Sequence, residues 1–447
     1  MKPARTFAGI VLGGVSALCL GVLLLAIVRG SHTFYYVAPI VGLVLAGLAQ
    51  KTREETRVNI AVSIVAVGLA LYAVELVLFF VQQSPDGTRF EYVERRIDAA
   101  RARNVPYDLR SQLEVVEDLQ ERGVDAVARV HPAAFVPSNG LRAVDESILP
   151  VSGISRTVTV TCNESGAWTL FESDEHGFRN PLGQYDRDSI DVVLVGDSYA
   201  FGACVPQGDG VGSALRRTGR SVLNLGYGGN GPLLELAALK ELGERFSPQA
   251  VLWLYFEGND LLDLRRERRS SLLLNYLDPD FTQRLSEKQA LIDSLLYAHH
   301  DKRRAQAQAR SRGRWRCVLI LCGIRKLPVR STMAAPSEKD LPVGLLGEVL
   351  ATARDRARSW GGELFFVYLP IWHRYSRTVD QDALSRRRDV LEMIGGQGIP
   401  VIDFTDVLRS HPDPLSLFPF RERGHYTEEG YALLADQIAV RLNESPE

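Results

Sequence analysis

From residue 190 onward, short apolar runs alternate with segments of helical periodicity. The apolar runs cover residues 191–196, 221–225, 249–256, 363–369 and 399–403, and the helical segments cover 208–218, 232–245, 344–359, 381–395 and 427–442. Strands that alternate with helices favour a parallel sheet with helices on both faces. The sequence therefore predicts an α/β domain with a doubly wound, flavodoxin-like, five-stranded parallel sheet. In such sheets ligands bind near the carboxyl ends of the strands.

Three apolar stretches precede this domain, at about residues 7–28, 33–50 and 58–81. Runs of about 20 apolar residues are long enough to cross a bilayer. The first run is too long for the apolar part of a signal peptide and lacks a persuasive cleavage site, so we expect it to be retained. Residues 1–84 are therefore expected to form a three-helix transmembrane region.

Basic residues in the connecting loops predict the orientation of these spans. Lys2 and Arg5 precede the first span and three more basic residues lie in 51–57, whereas the loop between the first two spans offers only Arg29. Positively charged loops stay in the cytoplasm, so three crossings of an inner membrane place the α/β domain in the periplasm or outside the cell. The second span is short and contains Pro39; if it does not cross, the domain is cytoplasmic.

The remaining chain divides into a helical stalk and lead-in segment, 85–185, and the α/β domain, 186–447. A helical insertion at about 261–342 carries a basic run, for which we favour a solvated helix face over contact with anionic lipid headgroups. The net charge of −2 predicts no nucleic-acid partner. No spacing typical of a metal site or of a phosphate-binding glycine loop occurs, so we expect neither a metal nor a cofactor. The sequence gives no indication of oligomeric state.

Ser198 follows the first predicted strand in the stretch VVLVGDSYAFG, where it is either a turn residue or a nucleophile. A nucleophilic serine needs a base, a group that orients the base, and donors for an oxyanion. Of the eight histidines, His373 and His425 follow late strands and are placed to reach Ser198, and His425 has the better context before a helix start. His131 and His176 precede the sheet.

Two further polar loops end predicted strands at the same edge of the sheet. The stretch NLGYGGNGP, 224–232, is rich in glycine, so its backbone N–H groups can point into a site. The stretch FEGND, 256–260, supplies Asn259 as a neutral donor. The coincidence of these loops with Ser198 and His425 favours a catalytic site over unrelated turns.

These four blocks, in this order, resemble the SGNH/GDSL hydrolase superfamily of esterases and acyl-modifying enzymes. The resemblance covers about residues 170–447, with the insertion outside it. It implies Ser198 as nucleophile, His425 as base, and an oxyanion hole from the N–H groups of Ser198 and Gly229 and the Asn259 amide. Gly229 is preferred over Gly226. The lead-in CNESGAWTLFESDEHGFRNP resembles that of membrane-anchored bacterial members.

The chain departs from the family pattern where an aspartate usually stands three residues before the histidine, because this position is Glu422. We expect Glu422 to complete a Ser-His-Glu triad, since a glutamate can also orient an imidazole. Two alternatives stay open: a Ser-His dyad assisted by a backbone carbonyl, or Asp403 as a substitute. Cys162 and Cys204 form a candidate disulfide that would clamp the lead-in beside the nucleophile. The pairing of Cys317 and Cys322 stays open.

The resemblance thus implies a membrane-anchored serine esterase acting on O-acyl groups, O-acetyl in the first place, of a carbohydrate or lipid. An O-acyltransferase that modifies a cell-surface polysaccharide would use the same residues. A catalytically silent carbohydrate-binding scaffold with the same fold is the third reading, because a fold does not fix a function.

Overall fold

The computed structural model describes residues 2–29, 34–81, 87–319, 341–376 and 381–444. The chain divides into two compact units. The first comprises Met1–Arg89 with Ala309–Met333, and the second comprises Phe90–Gln308 with Ala334–Glu447. Cys322 and the side chain of Cys317 lie outside the described part of the chain, so their pairing stays open.

The first unit contains three apolar helices, α1 (Lys2–Arg29), α2 (Phe34–Gln50) and α3 (Glu54–Val81), and α1 packs against both others. Two stretches are long and apolar enough to cross a membrane, Pro3–Leu25 and Glu54–Val77. The apolar part of α2, Tyr36–Gln50, is shorter. The 17 residues of α2 rise only about 26 Å, less than a hydrocarbon core of about 30 Å. Two apolar helices long enough to cross a membrane are therefore present, and the three predicted crossings stay a prediction.

The second unit is built on a parallel sheet of five strands. These are β6 (Val192–Gly196), β7 (Val222–Asn224), β8 (Ala250–Phe256), β9 (Glu363–Leu369) and β10 (Val401–Asp403), in the spatial order β7-β6-β8-β9-β10. Val193 pairs with Leu223 on one side and with Val251 on the other. The order corresponds to 2-1-3-4-5, so the predicted doubly wound, flavodoxin-like sheet is confirmed. Its switch point lies beside β6, the strand that leads to Ser198.

Helices cover both faces of this sheet because its strands are apolar on both sides. They are α6 (Ser198–Phe201), α7 (Val211–Arg217), α8 (Pro232–Ala238), α12 (Val343–Ser359), α13 (Gln381–Gly395), α14 (Phe404–Ser410) and α15 (Glu428–Glu444). Val192 and Leu194 belong to the core on the face of α7 and α15. Val193 and Val195 belong to the core on the face of α8 and α12. This alternation of side chains fixes the register of β6.

The lead-in segment before the sheet has its own small framework. It contains α4 (Gly87–Ala102), α5 (Gln112–Glu121), β1 (Ala126–Ala128), β2 (Leu141–Arg142), β3 (Ser147–Ile148), β4 (Val158–Val160) and β5 (Leu170–Glu172). A capping box starts α5, since the side chains of Ser111 and Glu114 each accept a hydrogen bond from the other residue's backbone N–H. β4 lies between β1, which is parallel to it, and β5, which is antiparallel. The turn between β4 and β5 therefore projects from a fixed hairpin.

The described part of the insertion adds α9 (Asp260–Glu267), α10 (Ser271–Leu274) and α11 (Gln289–Leu319). It also packs on the lead-in, because Asp293 accepts hydrogen bonds from Ser155 N–H at 3.0 Å and from Ser155 Oγ at 2.7 Å. Within the second unit, the insertion thus supports the segment that precedes the sheet.

A disulfide joins Cys162, two residues beyond β4, to Cys204, which follows the nucleophile helix α6. The two Cα atoms are 5.5 Å apart, within the usual range for a disulfide. The predicted pairing of these two cysteines is therefore present in the structure.

This cross-link predicts a measurable loss of stability when it is removed. The bridge closes a loop with a sequence separation of 42 residues. We expect the Cys162→Ser/Cys204→Ser variant of the full chain in detergent to lose about 4 kcal/mol in the free energy of unfolding of the second unit, measured by urea denaturation. Reductant should lower the stability of the wild type and leave the double variant unchanged. Equal sensitivity of both proteins to reductant would contradict the assignment.

Candidate active site

Ser198 stands at the first turn of α6, directly after β6. Asp197 caps this helix, since its Oδ1 accepts a hydrogen bond from Tyr199 N–H at 2.9 Å, and its Oδ2 lies 3.2 Å from Ser198 Oγ. Asp197 is fully buried, whereas Ser198 is partly exposed. The serine hydroxyl is therefore held at the carboxyl edge of the sheet, where a substrate can reach it.

His425 lies in the loop before α15, with its Nε2 2.8 Å from Ser198 Oγ. The Tyr199 ring packs against the imidazole with its centroid 5.1 Å away, and the Tyr199 hydroxyl donates to the Gly424 carbonyl oxygen at 3.1 Å. The loop carrying the histidine is thus fastened to the helix carrying the serine. The 2.8 Å between Ser198 Oγ and His425 Nε2 is the hydrogen-bond distance that a nucleophile and its base require.

The carboxylate beside His425 is Glu164, from the turn between β4 and β5. Glu164 Oε1 lies 3.2 Å from His425 Nδ1, and Glu164 Oε2 accepts a hydrogen bond from the backbone N–H of His425 at 2.7 Å. We expected Glu422 at this place, and the structure corrects that expectation. Glu422 is partly exposed, and the described residues include no contact between its carboxylate and His425. The site therefore aligns serine, histidine and a buried glutamate.

Glu164 is itself held by an arginine from α4. Arg96 Nη2 lies 2.8 Å from Glu164 Oε1 and donates to the Arg423 carbonyl oxygen at 2.9 Å. A side chain at Gly424 would not fit, because its Cβ would lie 2.6 Å from Glu164 Oε2. Burial alone would raise the pKa of Glu164, but the neighbouring His425 and Arg96 lower it to about 2. The carboxylate is thus ionised at neutral pH, as the partner of an imidazolium must be.

The disulfide lies against the same imidazole, with Cys204 Sγ 3.5 Å from His425 Nδ1. Donor atoms of Glu164, Cys204 and His425 lie within 4.8 Å of one another, a spacing that a metal ion can bridge. The donors do not fit a metal, because Cys204 has no thiolate to offer and Glu164 already binds Arg96. Glu164 and the disulfide sulfur of Cys204 instead contact the imidazole of His425 and fix its orientation.

The glycine loop after β7 reaches the nucleophile. A Cβ added to Gly228 would lie 3.7 Å from Ser198 Cβ, and Gly229 has a φ of +87°, which glycine adopts readily. Among the described residues, the backbone N–H groups of Ser198, Gly228 and Gly229 donate no hydrogen bond. Unpartnered N–H groups beside a nucleophile have the chemistry of an oxyanion hole. The roles predicted for Ser198 and Gly229 there stay predictions.

Asn259, the third predicted donor, lies at the start of α9 and is tied to neighbouring acids. Its amide nitrogen donates to Asp263 Oδ2 at 2.8 Å. Burial raises the pKa of Asp197, and hydrogen bonds from Tyr199 N–H and the Asn259 side chain offset part of that effect. Asn259 is therefore brought next to the nucleophile turn, while its role as an oxyanion donor stays a prediction.

The two other candidates occupy different positions. Asp403 caps α14 by accepting from Thr405 N–H at 2.9 Å, and it also pairs with Arg387. His373 lies in a short 3-10 helix, Trp372–Arg374, with its ring against Trp372. The structure therefore brings together Ser198 and His425 and gives Asp403 a capping role.

His131, which the sequence analysis set aside because it precedes the sheet, contacts the glycine loop. Its Nδ1 lies 2.7 Å from the Gly228 carbonyl oxygen, to which it donates. Glu267 of α9 holds the other end of the loop, with its Oε1 and Oε2 accepting from the N–H groups of Gly231 and Leu233 at 2.7 and 2.8 Å. The loop is thus fixed from the lead-in segment and from the insertion.

The position of Glu164 predicts which glutamate matters for activity. Glu164→Gln keeps the size of the side chain but removes its charge, so we expect kcat for p-nitrophenyl acetate hydrolysis to fall by about 10³–10⁴-fold. Glu422→Gln is the matched control and should leave kcat within about twofold, because a partly exposed carboxylate without a contact to His425 contributes little. The opposite ranking of the two variants would overturn the assignment.

The burial of Glu267 predicts a pH dependence of stability. Burial raises the pKa of Glu267 to about 8 from an ordinary value of 4.5. The folded protein therefore holds this proton more tightly than the unfolded chain, and the stabilisation is lost as the pH rises toward 8. Between pH 5 and pH 8, Glu267 should make the free energy of unfolding of the wild type fall by about 1.4 kcal/mol per pH unit. We expect Glu267→Gln to lack this contribution, so that its free energy of unfolding falls less steeply with pH. Parallel pH curves for variant and wild type from urea denaturation would refute this.

No protein-family model and no curated protein matches the chain. Solved structures that match include a protein assigned to the lipolytic G-D-S-L family from Desulfitobacterium hafniense DCB-2, at 14% identity, 56% coverage of this chain, 97% coverage of that chain and a TM-score of 0.33. A lipase/acylhydrolase from Enterococcus faecalis matches at 14% identity, with 57% and 97% coverage and a TM-score of 0.33. The acetyl xylan esterase AlAXEase matches at 10% identity, with 56% and 98% coverage and a TM-score of 0.31.

The chain carries the four sequence blocks in order, and the structure joins Ser198 of the first block to His425 of the last. This contact agrees with the resemblance to the SGNH/GDSL hydrolases that the four sequence blocks carry.

Proposed function

We propose that the chain is a membrane-anchored serine esterase that acts on O-acyl esters, O-acetyl in the first place, of a carbohydrate or lipid. The observation that carries the proposal is the alignment of three side chains. Ser198 Oγ lies 2.8 Å from His425 Nε2, and His425 Nδ1 lies 3.2 Å from Glu164 Oε1. A nucleophile, a base and an orienting carboxylate in this order are what acyl transfer to serine requires.

In the first half of the reaction, His425 Nε2 takes the proton from Ser198 Oγ as the oxygen attacks the ester carbonyl carbon. The negative charge that develops on the carbonyl oxygen is stabilised by the N–H groups of Ser198 and Gly229. Ionised Glu164 stabilises the imidazolium that forms on His425. The imidazolium then protonates the departing alcohol, and an acyl group stays on Ser198.

In the second half, His425 removes a proton from a water molecule that attacks the acyl-serine. The same N–H groups stabilise the second oxyanion, and the proton returns to Ser198 Oγ as the carboxylic acid leaves. An acceptor hydroxyl in the place of this water would give acyl transfer instead of hydrolysis.

The membrane anchor and the location belong to the proposal. Apolar side chains on the long helices α1 and α3 are exposed, including Leu18, Leu24, Val67 and Leu69. Helices that are apolar all round are typical of membrane spans. The Cys162–Cys204 disulfide supports an oxidising compartment for the second unit, in agreement with three crossings and a periplasmic face.

The proposal predicts that activity depends on Ser198. In detergent, the full-length protein should hydrolyse p-nitrophenyl acetate and be labelled by a fluorophosphonate probe, with the adduct on Ser198 by mass spectrometry. Ser198→Ala should abolish labelling and lower kcat at least about 10³-fold. Ser213→Ala, at another partly exposed serine, is the matched control and should behave like the wild type.

Two results would change the conclusion. A protein that reacts with neither reagent, and whose Ser198→Ala variant behaves like the wild type, would be a binding scaffold rather than an enzyme. Labelling of Ser198 with ester turnover only after an oligosaccharide acceptor is added would establish an acyltransferase.

A further inference from the structure

Arg129, in the lead-in segment, places a guanidinium near Ser198. It follows β1, and its backbone N–H donates to the Val160 carbonyl oxygen at 3.1 Å, which extends the pairing of β1 with β4. Its guanidinium packs over the ring of Phe201, with Cζ 5.8 Å from the ring centroid. Both the backbone and the side chain of Arg129 are therefore fixed by the fold.

The guanidinium lies at the glycine loop beside Ser198. A Cβ added to Gly228 would lie 2.8 Å from Arg129 Nη1 and 3.7 Å from Ser198 Cβ. The arginine and the nucleophile thus flank the same glycine. This places the Arg129 guanidinium at the loop that lies against Ser198.

Arg129 has no acceptor for its buried N–H groups. Within the described residues, Nε and Nη1 are buried without a hydrogen-bond partner, and no carboxylate forms an ion pair with the side chain. The other arginines near the site differ: Arg96 pairs with Glu164, and Arg179 donates to the carbonyl oxygens of Gly202 and Val205. Burying an unpaired cation is unfavourable, so its retention at a site calls for an anionic ligand.

The charges around the site leave Arg129 uncompensated. Glu164 exerts an electrostatic attraction on Arg129, but its carboxylate already pairs with Arg96 and contacts His425. Burial lowers the pKa of Arg129, yet a guanidinium stays protonated at neutral pH. The residue as a whole is partly exposed, which leaves Nη2 as the nitrogen that a ligand can reach.

We propose that Arg129 binds an anionic group of the substrate, a carboxylate or a phosphate close to the scissile ester. This inference depends on the serine-esterase function proposed above and names its substrate class: O-acyl esters of acidic glycans or anionic lipids. A guanidinium binds carboxylate and phosphate oxygens through directed N–H donors, and the accessible Nη2 offers two of them. Arg129 is then a specificity-determining residue that selects the substrate which Ser198 attacks.

A matched pair of esters tests this inference in the full-length protein. 4-Acetoxybenzoate and 4-acetoxybenzamide differ in the charge of one substituent, and we expect the wild type to favour the benzoate by about 10–100-fold in kcat/KM. Arg129→Gln should remove this preference and Arg129→Lys should restore part of it, because lysine keeps the charge without the paired donors. Arg142→Gln, at an exposed arginine, is the control variant and should keep the preference.

The same comparison shows which results overturn the inference. A wild type that does not favour the benzoate contradicts it, whether or not any variant folds. A preference that survives in Arg129→Gln, with both esters slowed equally, would mean that Arg129 stabilises the oxyanion of every ester instead of an anionic substituent.

A binding measurement separates this inference from the proposed catalysis. Ser198→Ala protein should bind inorganic phosphate or acetate by isothermal titration calorimetry, and Ser198→Ala/Arg129→Gln should bind at least about tenfold more weakly. Comparison of the two anions distinguishes a phosphate from a carboxylate site. If the wild type does not hydrolyse esters but Ser198→Ala still binds the anion, the esterase function is rejected and the anion site is retained. Equal binding by both proteins would reject the anion site.

Discussion

The candidate site depends on one contact, between the buried carboxylate of Glu164 and the imidazole of His425. Glu164 binds both the Nδ1 and the backbone N–H of His425, so it fixes the ring and the loop that carries it. A buried carboxylate is stable only with close cationic or hydrogen-bonding partners, and Arg96 supplies the second. The lead-in segment is therefore part of the candidate site, because it supplies the carboxylate that contacts His425.

The parallel sheet and the lead-in segment contribute different parts of the site. The sheet places Ser198 after β6 and the glycine loop after β7, at the edge where doubly wound folds bind ligands. The lead-in contributes the acid, Glu164, and fixes it through a hairpin and the Cys162–Cys204 disulfide. The pair Ser198 and His425 is thus joined by a carboxylate from outside the sheet.

The sequence predicted the parts of the molecule that local pattern determines. Five apolar runs bounded by turns indicated the sheet, and strand ends carrying Ser198 and a late histidine indicated the site. Glu164 was not predicted because it lies 261 residues before His425, and only tertiary packing brings them together. The predicted disulfide could have located this glutamate. Cys162 is two residues from Glu164, and its pairing with Cys204 places that glutamate next to the turn that carries Ser198.

The central claim, that Glu164 is the carboxylate partner of His425, is tested most directly by proton NMR of full-length protein labelled with ¹⁵N-histidine. A strong hydrogen bond from Nδ1–H to Glu164 predicts a downfield imidazole N–H signal of His425, assigned by its loss in His425→Gln. The signal should disappear in Glu164→Gln and persist in Glu422→Gln. A signal that persists without Glu164 and disappears without Glu422 would contradict the account.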